Sequence, residues 1–203
     1  MRKVAQLAVF SSDQDTLSAL WQTAGELQAG EELEISIFGG DGCGYLGTSA
    51  CQLLRGLTAR GVITRAYAHH AHSSGVFWLC GCSERIGFPA TTVMLHDANL
   101  EGFEGGKASS REIKDCAAQV ALMEELRDQI LSETTGQPKE LFAAMTARGE
   151  CWIDAETALG YGILTAIERY DRPAAIELGA ALGAHLANRV SEQKSVNAVA
   201  VVS

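Results

Sequence analysis

Three features of the chain combine residue types and spacings that could do chemistry. Ser73 stands between a strand-like segment and the apolar run at 76–82, and it is followed by Ser74 and Gly75. A hydroxyl there lies at a helix N-terminus, where outward N–H groups favour negative charge. That suits a nucleophile whose transition state carries an oxyanion. It equally suits a serine that only caps the helix. His96 closes the apolar run TTVML at 91–95. Side chains at strand ends line sites in α/β proteins, so its imidazole is either a proton carrier or an ordinary exposed histidine. The third feature is GGDGCGYLG at 39–47, with five glycines in nine residues. Directly after a strand, Gly39 and Gly40 would let the backbone approach closely and donate N–H groups to a substrate oxygen. No Gly-Lys-Ser/Thr follows, so this is not a nucleotide-binding P-loop. Gly42-x-Gly44-x-x-Gly47 fits a dinucleotide pattern, but no acidic residue closes a second strand about 20 residues on.

Other clusters point away from metal or redox chemistry. His69, His70 and His72 crowd Ser73, but no carboxylate or cysteine spacing supports a metal site. The six cysteines are Cys43, Cys51, Cys80, Cys82, Cys116 and Cys151. In a chain this large without an export signal they are expected to be free thiols in a reducing cytoplasm. Cys80-x-Cys82 has the wrong spacing for zinc or thioredoxin motifs. No metal and no cofactor are expected.

The elements that must position these residues follow from periodicity. Residues 3–10, 33–38 and 62–68 read as strands, with short strands at 86–88 and 91–95. Helices are expected at 13–28 after a Ser/Asp cap, at 48–60 and at about 76–82. Ser109-x-x-Glu112 forms a capping box that opens a long helix to about 133, and Pro138 suits the first turn of a helix at 138–147. Asp154 could cap a short helix ending near Gly160, and an Ala-rich helix follows at 172–190. The segments at 39–47, 69–75 and 97–108 read as loops. Alternating strands and helices imply an α/β fold with parallel βαβ units, and 203 residues without repeat or linker imply one domain, 1–203.

Composition narrows the partners. Lys and Arg number 16 against 25 Asp and Glu, a formal net charge of −9. That balance argues against nucleic acid or anionic lipid as the main partner. No apolar run approaches the length of a membrane span.

Together these segments resemble the ClpP serine peptidases. Ser73 and Gly75 match the family's nucleophile motif, Pro89 its following proline, and Met94-Leu95-His96 its Met-x-His. LEISIFGGDGCGYLG resembles the family's strand and Ser-Pro-Gly-Gly loop. The run TGQPKELFAAMTARGECWIDAETALGYGIL resembles its Thr-Gly-Gln-Pro, aromatic and Tyr-Gly-Leu motifs. The resemblance covers about residues 3–167. It implies a ClpP/crotonase-type βαβ superhelical core with a protruding long helix, the helix at 109–133. About 172–203 would be an extra C-terminal helix and tail.

The resemblance implies a serine endopeptidase acting on extended polypeptides. Ser73 is similar to the nucleophile and His96 to the general base. Glu150 stands where the family carries its triad Asp, with Asp97 and Asp154 as reserves. The oxyanion would be held by the N–H of Ser74 and of Gly39 or Gly40. The segment after His96 and the glycine-rich segment would sandwich the substrate as an added strand. Departures from the family's pattern are Phe38 before the glycine pair, a longer glycine segment, and Arg148-Gly149 for the Asp-Arg pair linked to ring contacts. The family's N-terminal axial loops, which meet an unfoldase ATPase, have no counterpart. The resemblance still implies a homo-oligomeric ring, of the cellular ATP-dependent or the phage capsid-maturing type, with the ATPase partner open. The alternatives are an inactive ClpP-like structural subunit and an acyl-CoA hydratase or isomerase of the same fold.

Overall fold

The computed structural model describes residues 3–99 and 109–169. Residues up to Glu168 belong to one compact unit, Met1–Glu168; Arg169 begins a second, Arg169–Ser203. The expected C-terminal helix and tail at about 172–203, and residues 100–108 of the loop after His96, lie outside the described residues.

Four parallel strands form the core of the sheet: β1 (Val4–Ser12), β2 (Glu32–Gly42), β3 (Ile63–His72) and β4 (Glu84–Leu95). They lie in the order β1-β2-β3-β4-β5, where β5 (Cys151–Asp154) runs antiparallel to β4, and the short β6 (Ala166–Ile167) also pairs with β4. The crossovers are α1 (Gln14–Glu26), α2 (Gly44–Ala59) and α3 (Gly75–Gly81); α4 (Ser110–Thr135), α5 (Lys139–Thr146) and α6 (Ala155–Tyr161) follow. This is the βαβ arrangement that the alternation implies.

Local chemistry sets the helix starts. Asp13 accepts the Thr16 N–H at 2.8 Å, and Asp154 accepts the Thr157 N–H at 2.8 Å. Ser109 and Glu112 form the reciprocal capping box. α4 ends on Gly136 at φ 74°, a left-handed conformation that glycine adopts freely.

The two faces of the sheet differ. Val9, Ile35, Ile37, Ala66 and Ala68 are fully buried against the helices with Leu20, Leu54, Trp78 and Leu79. The Trp78 indole, also fully buried, donates to Ser12 Oγ at 2.9 Å and ties α3 to β1. The other face is polar toward the strand starts, where Arg65 bridges Glu32, Glu34 and Glu84.

Midway along the sheet the register breaks in all three pairings among β1, β2, β3 and β4. The breaks fall between Val9 and Ser11, between Ile37 and Phe38, and between Ala68 and His70. At this level a row of rings crosses four strands. Phe10 stacks on Phe38 at 5.1 Å, Phe38 on His69 at 4.4 Å, and His69 on Phe88 at 4.9 Å between centroids. Bulges bend strands and increase their twist, so the segments beyond this belt are aimed anew. Those segments carry Gly39, Gly40, Ser73 and His96. The strands also run further than periodicity implies. β2 continues through the glycines to Gly42, β3 continues through the histidines to His72, and β4 is one strand across Pro89.

Burial pushes the His69 imidazole down to about 4, and neighbouring His70 adds to the shift. Below about pH 6.5 the unfolded chain takes up a proton at this position that the folded chain refuses. Stability should therefore fall as pH drops from 7 toward 4. His69→Phe, which keeps a flat ring in the stack, is expected to flatten this slope. Urea midpoints at pH 7 and pH 5 check it; an unchanged slope in the variant would assign the acid sensitivity to other groups.

Candidate active site

Ser73 is the hinge between β3 and α3. Its backbone has φ 51°, and it is the one non-glycine residue at positive φ among those described. That region is sparsely populated by side-chain-bearing residues and is held only where the surroundings over-determine it. Two contacts do so. The Ser73 N–H donates to the Met94 carbonyl at 3.0 Å, and Ser74 Oγ donates to the Gly40 carbonyl in a short bond. The turn lifts the Ser73 side chain off the end of the sheet toward the next strand's end.

His96 follows β4 directly, and its Nε2 lies 2.7 Å from Ser73 Oγ. Its Nδ1 lies 2.5 Å from the backbone carbonyl of Asp97. A carbonyl oxygen only accepts, so the proton is assigned to Nδ1, and Nε2 is left to accept the Ser73 hydroxyl proton. This is the tautomer a Ser–His pair requires.

The glycine segment meets this pair at close range. Gly39 and Gly40 have φ 143° and 101°. A Cβ on Gly75 would lie 2.1 Å from the Gly39 carbonyl, and one on Gly40 would lie 2.4 Å from the Gly75 Cα. The end of β2 therefore packs backbone to backbone on the start of α3, which bare glycine permits. Gly39, Gly40 and Ser74 meet at this one junction beside Ser73.

The pair opens into a cleft of about 540 Å³. Val76, Phe77, Leu95, Val120 and Met123 supply apolar wall, and Asp41 and Glu124 add acidic lining. Arg127 of α4 also lines it. The guanidinium is buried; Nη1 donates to the His96 carbonyl at 2.7 Å and to Asp97 Oδ1 at 3.2 Å, and Nε donates to Asp128 at 2.8 Å.

No hydrogen bond joins Glu150 to His96 among the described residues. The β4–β5 pairing ends at Leu95 and Cys151, one residue short of both. Glu150 and Trp152 are two apart and share a face, and Glu150 Oε2 accepts the exposed Trp152 indole N–H at 3.0 Å. In this structure the group at Nδ1 is the Asp97 carbonyl, while the Glu150 carboxylate, expected to orient the imidazole, bonds Trp152. Asp154, held in reserve for that role, is spent as the cap of α6, and the bonds from Thr157 keep its carboxyl below the usual range.

The three histidines before Ser73 have separate roles. His69 belongs to the ring stack. His70 Nδ1 and His72 Nε2 both meet Thr92 Oγ1 at 2.9 Å, and His72 stands edge-on to Trp152. Among the described residues no group of three or more metal-ligating side chains converges. All six cysteines are free; Cys51, Cys80 and Cys82 are buried, and burial raises their thiol pKa values, that of Cys51 to about 12. Thiols so raised are inert. No helix among the described residues is long and apolar enough to cross a membrane.

Sequence reasoning did not single out Arg127. The signal was present: Arg127 lies four residues after Met123 and four before Leu131, on the stripe that α4 buries.

A family model described as Clp protease matches residues 60–171. That span exceeds half the chain and includes Ser73 and His96. The chain belongs to the Clp protease family. Similar proteins include the ATP-dependent Clp protease proteolytic subunit 3 of Rhizobium etli, 37% identical over 83 residues, which are 41% of this chain and 40% of that protein. The subunit of the same name from Rhizobium meliloti is 37% identical over 84 residues, again 41% and 40%. The chain thus aligns with about two-fifths of the length of these relatives. A solved ClpP1 mutant from Listeria monocytogenes has the same fold, with a TM-score of 0.67 at 18% identity over 83% of this chain and 92% of that one. Gly39 and Gly40 precede the part that the Clp protease model matches, so their role rests on the junction with Gly75.

Proposed function

We propose that this Clp protease family member is a serine-type endopeptidase that cleaves extended polypeptides at Ser73. The observation that carries the reading is the 2.7 Å contact between His96 Nε2 and Ser73 Oγ, with Nδ1 already committed to a carbonyl. His96 takes the hydroxyl proton as Ser73 Oγ attacks the peptide carbonyl carbon. The tetrahedral oxyanion is held by the Ser74 N–H and the Gly39–Gly40 backbone. As the intermediate collapses, the C–N bond breaks and His96 returns the proton to the leaving amine. Water, deprotonated by the same imidazole, then releases the acyl group from Ser73. The apolar walls of the cleft favour an apolar side chain next to the scissile bond.

A homo-oligomeric ring fits the long helix. The first half of α4 is largely exposed and carries Ile113 and Leu122 outward, each 54% exposed. An adjacent subunit would cover them. An unfoldase ATPase as partner is carried only by what the relatives are called.

A fluorophosphonate probe tests the activity. It is expected to label the protein once, and peptide mapping should find the adduct on Ser73. An assembled, folded protein that remains unlabelled would instead support the inactive structural subunit. Light scattering on the same sample reads the assembly, and a monomer would remove the ring.

A further inference from the structure

We infer that Arg127 is a positioning residue that holds His96 in its base-competent tautomer, acting through the backbone of residues 96 and 97. The inference rests on the Ser73–His96 reading and deepens it.

Serine hydrolases need something at imidazole Nδ1, because an unheld ring rotates and exchanges tautomers. Here the partner is the Asp97 carbonyl, one residue away in the chain. A neighbouring carbonyl is a poor anchor by itself, since the 96–97 peptide follows the end of β4 and has no strand pairing of its own. Arg127 supplies the missing rigidity. One nitrogen, Nη1, bonds both the His96 carbonyl and the Asp97 carboxylate. Nε is locked onto buried Asp128. The guanidinium fork thus clamps the base residue and its successor to α4, and through them fixes where the Asp97 carbonyl points. A lysine in its place has three donors on one nitrogen and cannot span the separate Nη1 and Nε positions of this fork.

The Glu150 carboxylate, the obvious alternative, is engaged by Trp152. The two ways of holding the ring make opposite forecasts for substitution.

The test uses fluorophosphonate labelling at saturating probe, which separates a limiting rate constant from a half-saturating concentration. Arg127→Lys keeps a cation for Asp128. Arg127→Gln with Asp128→Asn removes both buried charges together, so neither variant leaves one of them alone. Both are expected to lose about 10- to 100-fold in limiting rate, as is usual for groups that orient a functional imidazole from behind. Half-saturation should stay within about threefold, and the lysine variant should recover part of the loss. Thermal midpoints identify the folded variants. Limiting rates within about twofold of the parent in both folded variants would overturn the inference. So would a change confined to half-saturation. Glu150→Gln completes the set: a loss larger than that of the Arg127 variants means that a side-chain carboxylate holds the ring, and the Arg127 role falls. A parent protein that does not label at Ser73 overturns the peptidase reading itself, and the clamp with it.

Discussion

Ser73→Ala is expected to lower hydrolysis of a fluorogenic peptide by several orders of magnitude, on the order of 10⁶-fold where such a Ser–His pair has been dissected. The reasoning is that Ser73 Oγ is the hydroxyl that the imidazole can activate, with Nε2 2.7 Å away and Nδ1 occupied. His96→Ala should cost nearly as much, because a hydroxyl with no base remains protonated. The double variant should be little worse than either single one, since the two groups work as a unit. Losses that multiply would mean that Ser73 and His96 act separately. Thermal stability should hardly change in Ser73→Ala, since the contacts that fix its backbone come from the Ser73 N–H and from Ser74, both of which remain.

Gly75→Ala is expected to have the second largest effect, and through packing rather than chemistry. The new Cβ would meet the Gly39 carbonyl at 2.1 Å and the Gly40 Cα at 3.0 Å. Both obstacles are backbone, so no rotamer change relieves them. The end of β2 must move away from α3, and the Ser74–Gly40 bond lies in its path. Overpacking of this kind costs about 1–3 kcal/mol or more. It also displaces the N–H groups assigned to the oxyanion, whose loss costs roughly 10²–10³-fold in rate. Chemical denaturation and peptide hydrolysis read the two parts. Gly56→Ala is the control: Gly56 lies inside α2 with open space around it. There alanine should stabilise, by up to about 1 kcal/mol. Equal behaviour of the two variants would refute the close-approach argument.

The site is partly legible in the sequence. Ser73 and His96 each stand at an element boundary, and the order of short motifs along the chain tied them to one family. Helix starts were legible at Asp13, Ser109 and Asp154 because a cap is a contact over three residues, and its partners lie in the same stretch of sequence. The strand extents were not. Gly39–Gly42 and His69–His72 lack β-type periodicity, yet both are strand, because pairing with neighbours already in the sheet overrides weak local preference. β5 is four residues long and was missed for the same reason.

Two assignments had to wait for the tertiary structure. Glu150 occupies the right place in sequence for a triad acid, and only the structure shows its carboxylate bonded to the exposed Trp152 indole. Arg127 is one of several charges on α4, and only the packing of the second half of that helix beside α3 and α2 sets it against His96. What the sequence by itself determined is the alternation of elements, the helix caps and the candidate pair Ser73 and His96, all of which depend on contacts a few residues long or on motif order. Only the tertiary structure decided where the bulged strands aim their ends and what stands behind the imidazole. Those depend on pairings between residues 20 to 50 apart in the chain, such as His96 with Ser73 and with Arg127, whose energies no local stretch of sequence contains.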